Sequence, residues 1–365
     1  MADLFIPQME PWFDDKEAVA LSNYMKSGGW VMEFQQTKEL ERLICEYVGA
    51  KHCIMTSNGT ISLTLALLAL GLKAGDEVLV PDFTMIASPN AARLIGVDPV
   101  LVDIEPTTLS MDLLAAERAI TSKTKALMYV AFNGRSCDMG AVVDFCKKYN
   151  LFLLEDSAQA LGSFFNGKHL GTFGDVGSFS FSVPKIITTG QGGALVTNND
   201  ALATRIRKIK DFGRMSGGAD IHDEMGWNFK FTDIQAVIGI EQMKKMSWRV
   251  NRKKEIYKKY RESFKNIPQV ELVATDLTQT TPWFNEIFVD EPDALALFLK
   301  EKGIGSRRVY PAIHTQKIYR DAYMGKVFSV AERLAARGLW LPSSSKLSDA
   351  DIERVVSAVK EYYDR

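Results

Sequence analysis

Several things are scarce in this sequence, and each scarcity narrows the reading. Four cysteines and four histidines stand among 365 residues. Cys45, Cys53, Cys137 and Cys146 form no CxxC pair, and nothing in their spacing to the histidines resembles a metal site. Free thiols are therefore favoured over a disulfide framework. An excess of either charge is also missing: 44 Lys and Arg face 45 Asp and Glu, leaving a net charge of -1. No global field recruits nucleic acid or an acidic membrane. The opening MADLFIPQMEPWFDD lacks a basic segment followed by an apolar core, so no signal peptide is expected and the cytoplasm is the expected compartment. The longest apolar-rich run, ISLTLALLALGL, is too short to span a bilayer. There is no internal repeat and no low-complexity segment.

What remains is ordinary globular material, 46% hydrophobic and 24% charged. The length suits two domains, or one large domain with a smaller one attached. Between about residues 55 and 200, short apolar runs alternate with helical patterns. EVLVP, PVLVDI, ALMYVAF and LFLLEDS are apolar on both faces, as strands of a parallel sheet covered on both sides must be. ISLTLALLALGL, MDLLAAERAI and MGAVVDFCKKYN read as the intervening helices. This is βαβ alternation, hence an α/β domain. VGSFSFS and GGALVTNN add two strands, DALATRIRKIKDFG a helix, and the stretch near 234–266 a long basic helix. The last hundred residues read as a smaller α+β domain. We expect a large domain over 1–240 and a small one over 241–365.

Four pieces fall where open α/β sheets carry ligands, at strand and helix ends. SNGT, Ser57 to Thr60, precedes a helix whose N-terminal N–H groups suit a phosphate, with Gly59 allowing close approach. The bland alternative is an N-cap by Ser57 or Thr60. Asp156 follows an apolar strand and needs a cationic partner or several donors if buried. A protonated ring nitrogen would serve, and an N-cap for a helix starting near Ala158 is the alternative. Lys185 stands between two strands; desolvated, its amine is a nucleophile, and otherwise it is a solvated turn residue. Gly190, Gly192 and Gly193 imply a tight turn or a close backbone approach. Taken together, a phosphate cradle, a strand-end carboxylate and a lysine are the three partners of pyridoxal 5′-phosphate, PLP.

At this point the sequence resembles the DegT/DnrJ family of PLP-dependent nucleotide-sugar aminotransferases. The resemblance covers nearly the whole chain and rests on SNGTISLTLALLALGLKAGDEVLVPDFTMIAS, LFLLEDSAQALGSFFNGKHLGTFGDVGSFSF, KIITTGQGGALVTNN, GWNFKFTDIQAVIGIEQM and YPAIHTQKIY. The branch it looks most like is the perosamine-synthase-like one, which acts on a GDP-linked 4-keto-6-deoxy sugar. The resemblance implies an aspartate-aminotransferase-like fold (PLP fold type I), L-glutamate as donor, pyridoxamine phosphate (PMP) in the second half-reaction, and a homodimer with shared sites. It implies that Lys185 is the Schiff-base lysine and that Asp156 pairs with the pyridine nitrogen. It places Gly59, Thr60 and Ser180 on the phosphate and Gln159 near the ring hydroxyl. Asn228 would reach the phosphate of the neighbouring subunit, and His314 would lie near the sugar nucleotide. Four features depart from the family pattern. Met85 replaces an aromatic ring stacked on the cofactor, and Gln191 stands where glutamate is common. Residues 131–139 lack the aromatic-histidine character of that strand end, and the stretch around TTPWFNEIFVDEPDALALF is short and lacks a histidine. Three rival readings accompany this one: a sugar 3-dehydratase of the same family, which would carry histidine in place of Lys185; a non-catalytic binding protein; and an aminotransferase for a different keto-sugar.

Overall fold

The structure is a computed structural model and describes residues 5–215 and 220–364. The first half runs α1 (Asp15–Lys26), α2 (Gln35–Val48), β1 (His52–Thr56), α3 (Gly59–Ala69), β2 (Glu77–Pro81), α4 (Ala87–Arg93), β3 (Asp98–Val102), α5 (Leu113–Ala119), β4 (Thr124–Val130), α6 (Met139–Lys148) and β5 (Phe152–Asp156). A two-residue ribbon, β6 (Phe164–Phe165) with β7 (Lys168–His169), leads to β8 (Val176–Ser180) and β9 (Gly193–Thr197), followed by α7 (Asp200–Lys210). Seven strands form one sheet in the order β1-β9-β8-β5-β4-β2-β3. β3, β2, β4, β5 and β8 pair parallel, while β9 pairs antiparallel with both β8 and β1. Six strands therefore point the same way and only β9 runs against them. Their side chains are buried on both faces, which is why the sequence shows continuous apolar runs rather than alternation. The α/β class expected from the sequence is present.

The expected long basic helix is instead two helices, α8 (Asp233–Met243) and α9 (Met246–Phe264), parted at Lys244 and Lys245. No glycine or proline marks the break. Its cause is tertiary: the Lys245 amine is drawn into a buried ion pair with Glu17 of α1 at 2.6 Å. α8 then packs on α1 and α2, whereas α9 packs on the chain's last helix.

The C-terminal part runs β10 (Asn285–Phe288), α10 (Pro292–Glu301), β11 (Arg307–Arg308), α11 (Lys317–Arg320), α12 (Ser329–Arg337), β12 (Gly338–Leu341) and α13 (Asp349–Tyr363). Its antiparallel sheet has the order β10-β12-β11. Ile256, Phe264, Ile287, Leu299, Leu341 and Val355 lie in its core. Ile6 joins that same core, bridged to Ile304, so the start of the chain is woven into its C-terminal part.

Candidate active site

The six like-directed strands bring their carboxyl ends to one edge of the large sheet, and Gly59, Thr60, Met85, Asp156, Ser180 and Lys185 follow or end those strands. β1 ends at Thr56 and α3 starts at Gly59. The cap of that helix is Asn58, whose side chain accepts the Ile61 N–H at 3.0 Å; neither Ser57 nor Thr60 serves as the cap. The N–H groups of Gly59 and Thr60 are left without an acceptor among the described residues. Gly59 also lies against Ser180 at the end of β8. A Cβ built on it would stand 2.9 Å from the Ser180 Cβ and 3.1 Å from its Oγ, closer than packing allows. Two helix N–H groups thus stand beside the Ser180 hydroxyl, which also reaches the Ser182 hydroxyl at 3.3 Å, with Thr60 adding a hydroxyl to the same turn. That donor set fits a phosphate.

The glycine cluster explains itself in the same region. Gly190 has φ +81°, a left-handed conformation. A Cβ on Gly193 would sit 2.5 Å from the Asn58 backbone, so glycine there lets β9 close onto the cradle.

Asp156 ends β5 and is buried. Its Oδ2 accepts the Ser88 hydroxyl at 2.7 Å, and its Oδ1 the Ala158 N–H at 3.2 Å. No helix begins at Ala158, where the chain makes turns, so Asp156 is not a helix cap. Burial raises its pKa, opposed by the Ser88 hydroxyl, the Ala158 N–H and the charge of Lys185. It has no ion pair with a cationic side chain among the described residues. A buried carboxylate held by neutral donors retains capacity for a cation, and a pyridinium N–H supplies one.

Lys185 lies in the loop of residues 181–192 that joins β8 to β9. Burial pulls its amine down to about 8, and the Asp156 charge opposes the shift. Its Nζ stands 4.2 Å over the centroid of the Trp283 ring. At neutral pH an amine so placed keeps far more of its neutral form than a solvated lysine does, which is what a carbonyl-reactive lysine needs.

The remaining candidates fall around these three. Gln159 is buried, and its Oε1 accepts the Asn133 N–H at 2.7 Å. Asn133, in the departing stretch 131–139, adopts φ +54° and donates its Nδ2 to the Phe284 carbonyl at 2.7 Å. Met85 is 42% exposed; its carbonyl accepts the Ser88 N–H at 3.1 Å, so it stands within one turn of the Asp156 ligand. Asn228 is exposed, and the carbonyl of its neighbour Phe229 accepts the Ser57 N–H at 3.2 Å. His314 is buried, with Nδ1 2.6 Å from Asp82 and Nε2 3.3 Å from Glu332. Asp82 follows β2, is fully buried, and also accepts the His314 backbone N–H at 2.8 Å. Burial lifts Asp82 to about 6, and its bonds to His314 hold it from rising further.

Sequence reasoning did not single out Ser88, Asp82 or Trp283. Ser88 and Asp82 lie inside the quoted PDFTMIAS, but a lone serine or aspartate carries no signal of its partner. Trp283 lies in a stretch noted only for its shortness.

The donor set therefore fits PLP: two helix N–H groups and hydroxyls for phosphate, a buried carboxylate for the ring nitrogen, a partly neutral amine for the aldehyde. The comparisons agree. The DegT/DnrJ/EryC1/StrS aminotransferase family matches residues 12–360. The chain belongs to this family. Its relatives include the GDP-perosamine synthase of Escherichia coli O157:H7, 36% identical over 362 residues that cover 98% of this chain and 99% of that one. The GDP-perosamine synthase of Vibrio cholerae is 33% identical, with 98% and 99% covered. Among solved structures, NtdA of Bacillus subtilis with bound cofactor PMP superposes with a TM-score of 0.90 at 26% identity, covering 96% of this chain and 82% of that one. This aminotransferase uses PLP, and its fold is that of the family. All four cysteines are free, and no described helix is long and apolar enough to cross a membrane.

Proposed function

We propose that this aminotransferase moves an amino group from L-glutamate to the keto carbon of a GDP-linked 4-keto-6-deoxy sugar in the cytoplasm. The observation that carries the reading is the convergence of Lys185, Asp156 and the Gly59–Thr60–Ser180 cradle at one sheet edge. The choice of a GDP-linked sugar is supported by the two GDP-perosamine synthases, each covering 98% of this chain.

Each residue then has a task. The Gly59 and Thr60 N–H groups and the Ser180 hydroxyl hold the phosphate. Asp156, kept in place by Ser88, holds a proton on the ring nitrogen. PLP, when bound, supplies an electron-poor ring that takes up the charge left on the donor carbon. Lys185 would hold the aldehyde carbon through its nitrogen, one water being lost in the joining. Its amine, when free, would be the base that takes the proton from the donor carbon and passes it to the cofactor carbon, and in the second half the acid that returns a proton to the sugar carbon. Gln159 would face the ring hydroxyl, Met85 would cover a ring face, and His314, held by Asp82 and Glu332, would line the sugar-nucleotide side.

The working unit is a homodimer in which Asn228 reaches the partner's phosphate. Support comes from an exposed apolar surface. Trp30, Val31, Met32 and Phe34 are all exposed, as are Met225 and Trp227. Hydrogen bonds tie the first group to the two ends of the loop that bears the second: Asp233 accepts the Phe34 N–H at 2.8 Å, and the Lys210 amine reaches Glu33 at 2.7 Å. Such a surface is what a second copy would cover. We also place the division between the large and small domains in the α8–α9 region, near residue 240.

The test is amino transfer from L-glutamate to GDP-, dTDP- and UDP-linked 4-keto-6-deoxy sugars, read as amino-sugar product. Amination of the GDP sugar is expected. Amination of another nucleotide's sugar alone would correct the substrate, and no amination of any would overturn the reading.

A further inference from the structure

The backbone on both sides of Lys185 is tied down. The carbonyl before it, on Pro184, accepts the Trp283 Nε1–H at 2.7 Å. The carbonyl after it, on Ile186, accepts the Arg249 guanidinium at 2.9 Å. The Trp283 carbonyl is itself held by the Lys253 amine at 2.6 Å. Arg249 and Lys253 both project from α9 and are buried. Neither makes an ion pair with a carboxylate among the described residues; their bonds go to backbone carbonyls. Burying an amine and a guanidinium costs free energy, which the carbonyls they hold offset in part. The result is a frame of three side chains around one lysine, with the indole of Trp283 under the amine at 4.2 Å.

We propose that Trp283 is a positioning residue for Lys185: its indole face carries the lysine ammonium whenever the amine is free, and its ring N–H fixes the backbone from which the lysine projects. This rests on the reading of Lys185 as the cofactor-bearing lysine. The reaction needs a lysine that alternates between a bound and a free amine, and a free amine on a flexible stem would wander. An aromatic face within 6 Å of an ammonium attracts it through the ring quadrupole, and more strongly where water is excluded. Trp283 is 4% exposed and cannot swing away, because Phe284 stacks on it at 3.8 Å and Trp340 meets it edge-on at 5.7 Å. The ring favours the charged amine and so works against burial. The groups that face this site are few. Asp156 at the end of β5 favours the ammonium; Arg249 and Lys253 on α9 point to carbonyls; Tyr310, on the loop after β11, feels the Asp156 charge.

The experiment follows capture of added PLP by the cofactor-free protein as a function of pH. Capture joins the Lys185 nitrogen to the aldehyde carbon with loss of one water, so it needs the neutral amine and its rate reports the amine's titration midpoint. Four preparations are compared: wild type and Trp283→Phe, each grown on ordinary tryptophan and on a fluorinated tryptophan, which draws electron density from the ring face without changing its shape. Fluorination is expected to lower the midpoint by about half a unit to one unit, as loss of an ammonium–ring attraction requires. Trp283→Phe grown on the same fluorinated tryptophan is expected to show no such shift, because the other five tryptophans do not underlie the lysine. An unchanged midpoint on fluorination would overturn the proposal even if Trp283→Phe fails to fold. Mapping the adduct separates the two levels: PLP captured on a different lysine would sink the underlying reading of Lys185, whereas capture on Lys185 with an unshifted midpoint sinks only the role of Trp283.

Discussion

At the scale of single residues, the site is governed by burial set against a small number of donors. Asp156 was legible because a carboxylate closing an apolar strand needs a reason; its holder, Ser88, was not, because the contact spans 68 residues of sequence. Replacing Ser88 with alanine removes one hydroxyl donor from a buried carboxylate. A bond to a charged group is worth about 1.5–3 kcal/mol, so PLP is expected to dissociate about tenfold or more faster from Ser88→Ala. Met85 gives the opposite expectation. Ring stacking adds about 0.5–1.5 kcal/mol where the pocket has room, so Met85→Phe should hold PLP as well as wild type or up to about tenfold better. PLP dissociation rates of both variants at equal protein concentration check this pair. Lys253 tests the cost of the buried frame. Its amine is pulled to about 7 from 10.5 by burial and by the nearby Arg249 charge. A cation with a depressed folded pKa binds fewer protons folded than unfolded between those values, so stability rises with pH across that window. Urea unfolding of the cofactor-free protein should therefore show wild type gaining on Lys253→Met between pH 7 and 10. Each pKa unit is about 1.4 kcal/mol, so the gain is at most about 4 kcal/mol. A flat difference would show that the amine is not desolvated.

At the scale of elements, the strands of the large sheet were readable because a sheet covered on both faces leaves few polar positions in its strands. The α8–α9 break was not, since Lys244 and Lys245 look like ordinary surface lysines; only the fold brings Glu17 to meet one of them. The glycine-rich stretch before β9 was readable as a close approach, though not as an approach to α3. Gly193→Ala would push a Cβ into the Asn58 backbone, where nothing flexible can yield. Crowding of this kind costs about 1–3 kcal/mol. We expect a lower unfolding midpoint together with weaker PLP binding, because the displaced element is the phosphate cradle itself. A lower midpoint with unchanged PLP affinity would place the cradle elsewhere.

At the scale of the whole molecule, most of the candidate site residues lie at one sheet edge, and Asn228 is the exception. It lies on the loop that also carries the exposed Met225 and Trp227, and the proposed pair of chains with shared sites gives it a task. Mixed dimers of Lys185→Ala and Asn228→Ala should regain part of the lost activity, since one of the two sites in each mixed dimer has both residues intact. An active monomer by light scattering would contradict that arrangement. Sequence alone reached the family, and it singled out three candidate cofactor residues because Gly59 and Asp156 lie at the ends of regular elements and Lys185 in the loop between two strands. It did not reach the frame around Lys185, whose members come from residues 249, 253 and 283 and meet only in three dimensions. The central claim is that Lys185 carries the cofactor. Borohydride reduction of the PLP-loaded protein, followed by peptide mapping, tests it most directly. A pyridoxyl group on Lys185, absent from a folded Lys185→Ala protein, is the expected result; a label on any other lysine, or none at all, would contradict the account.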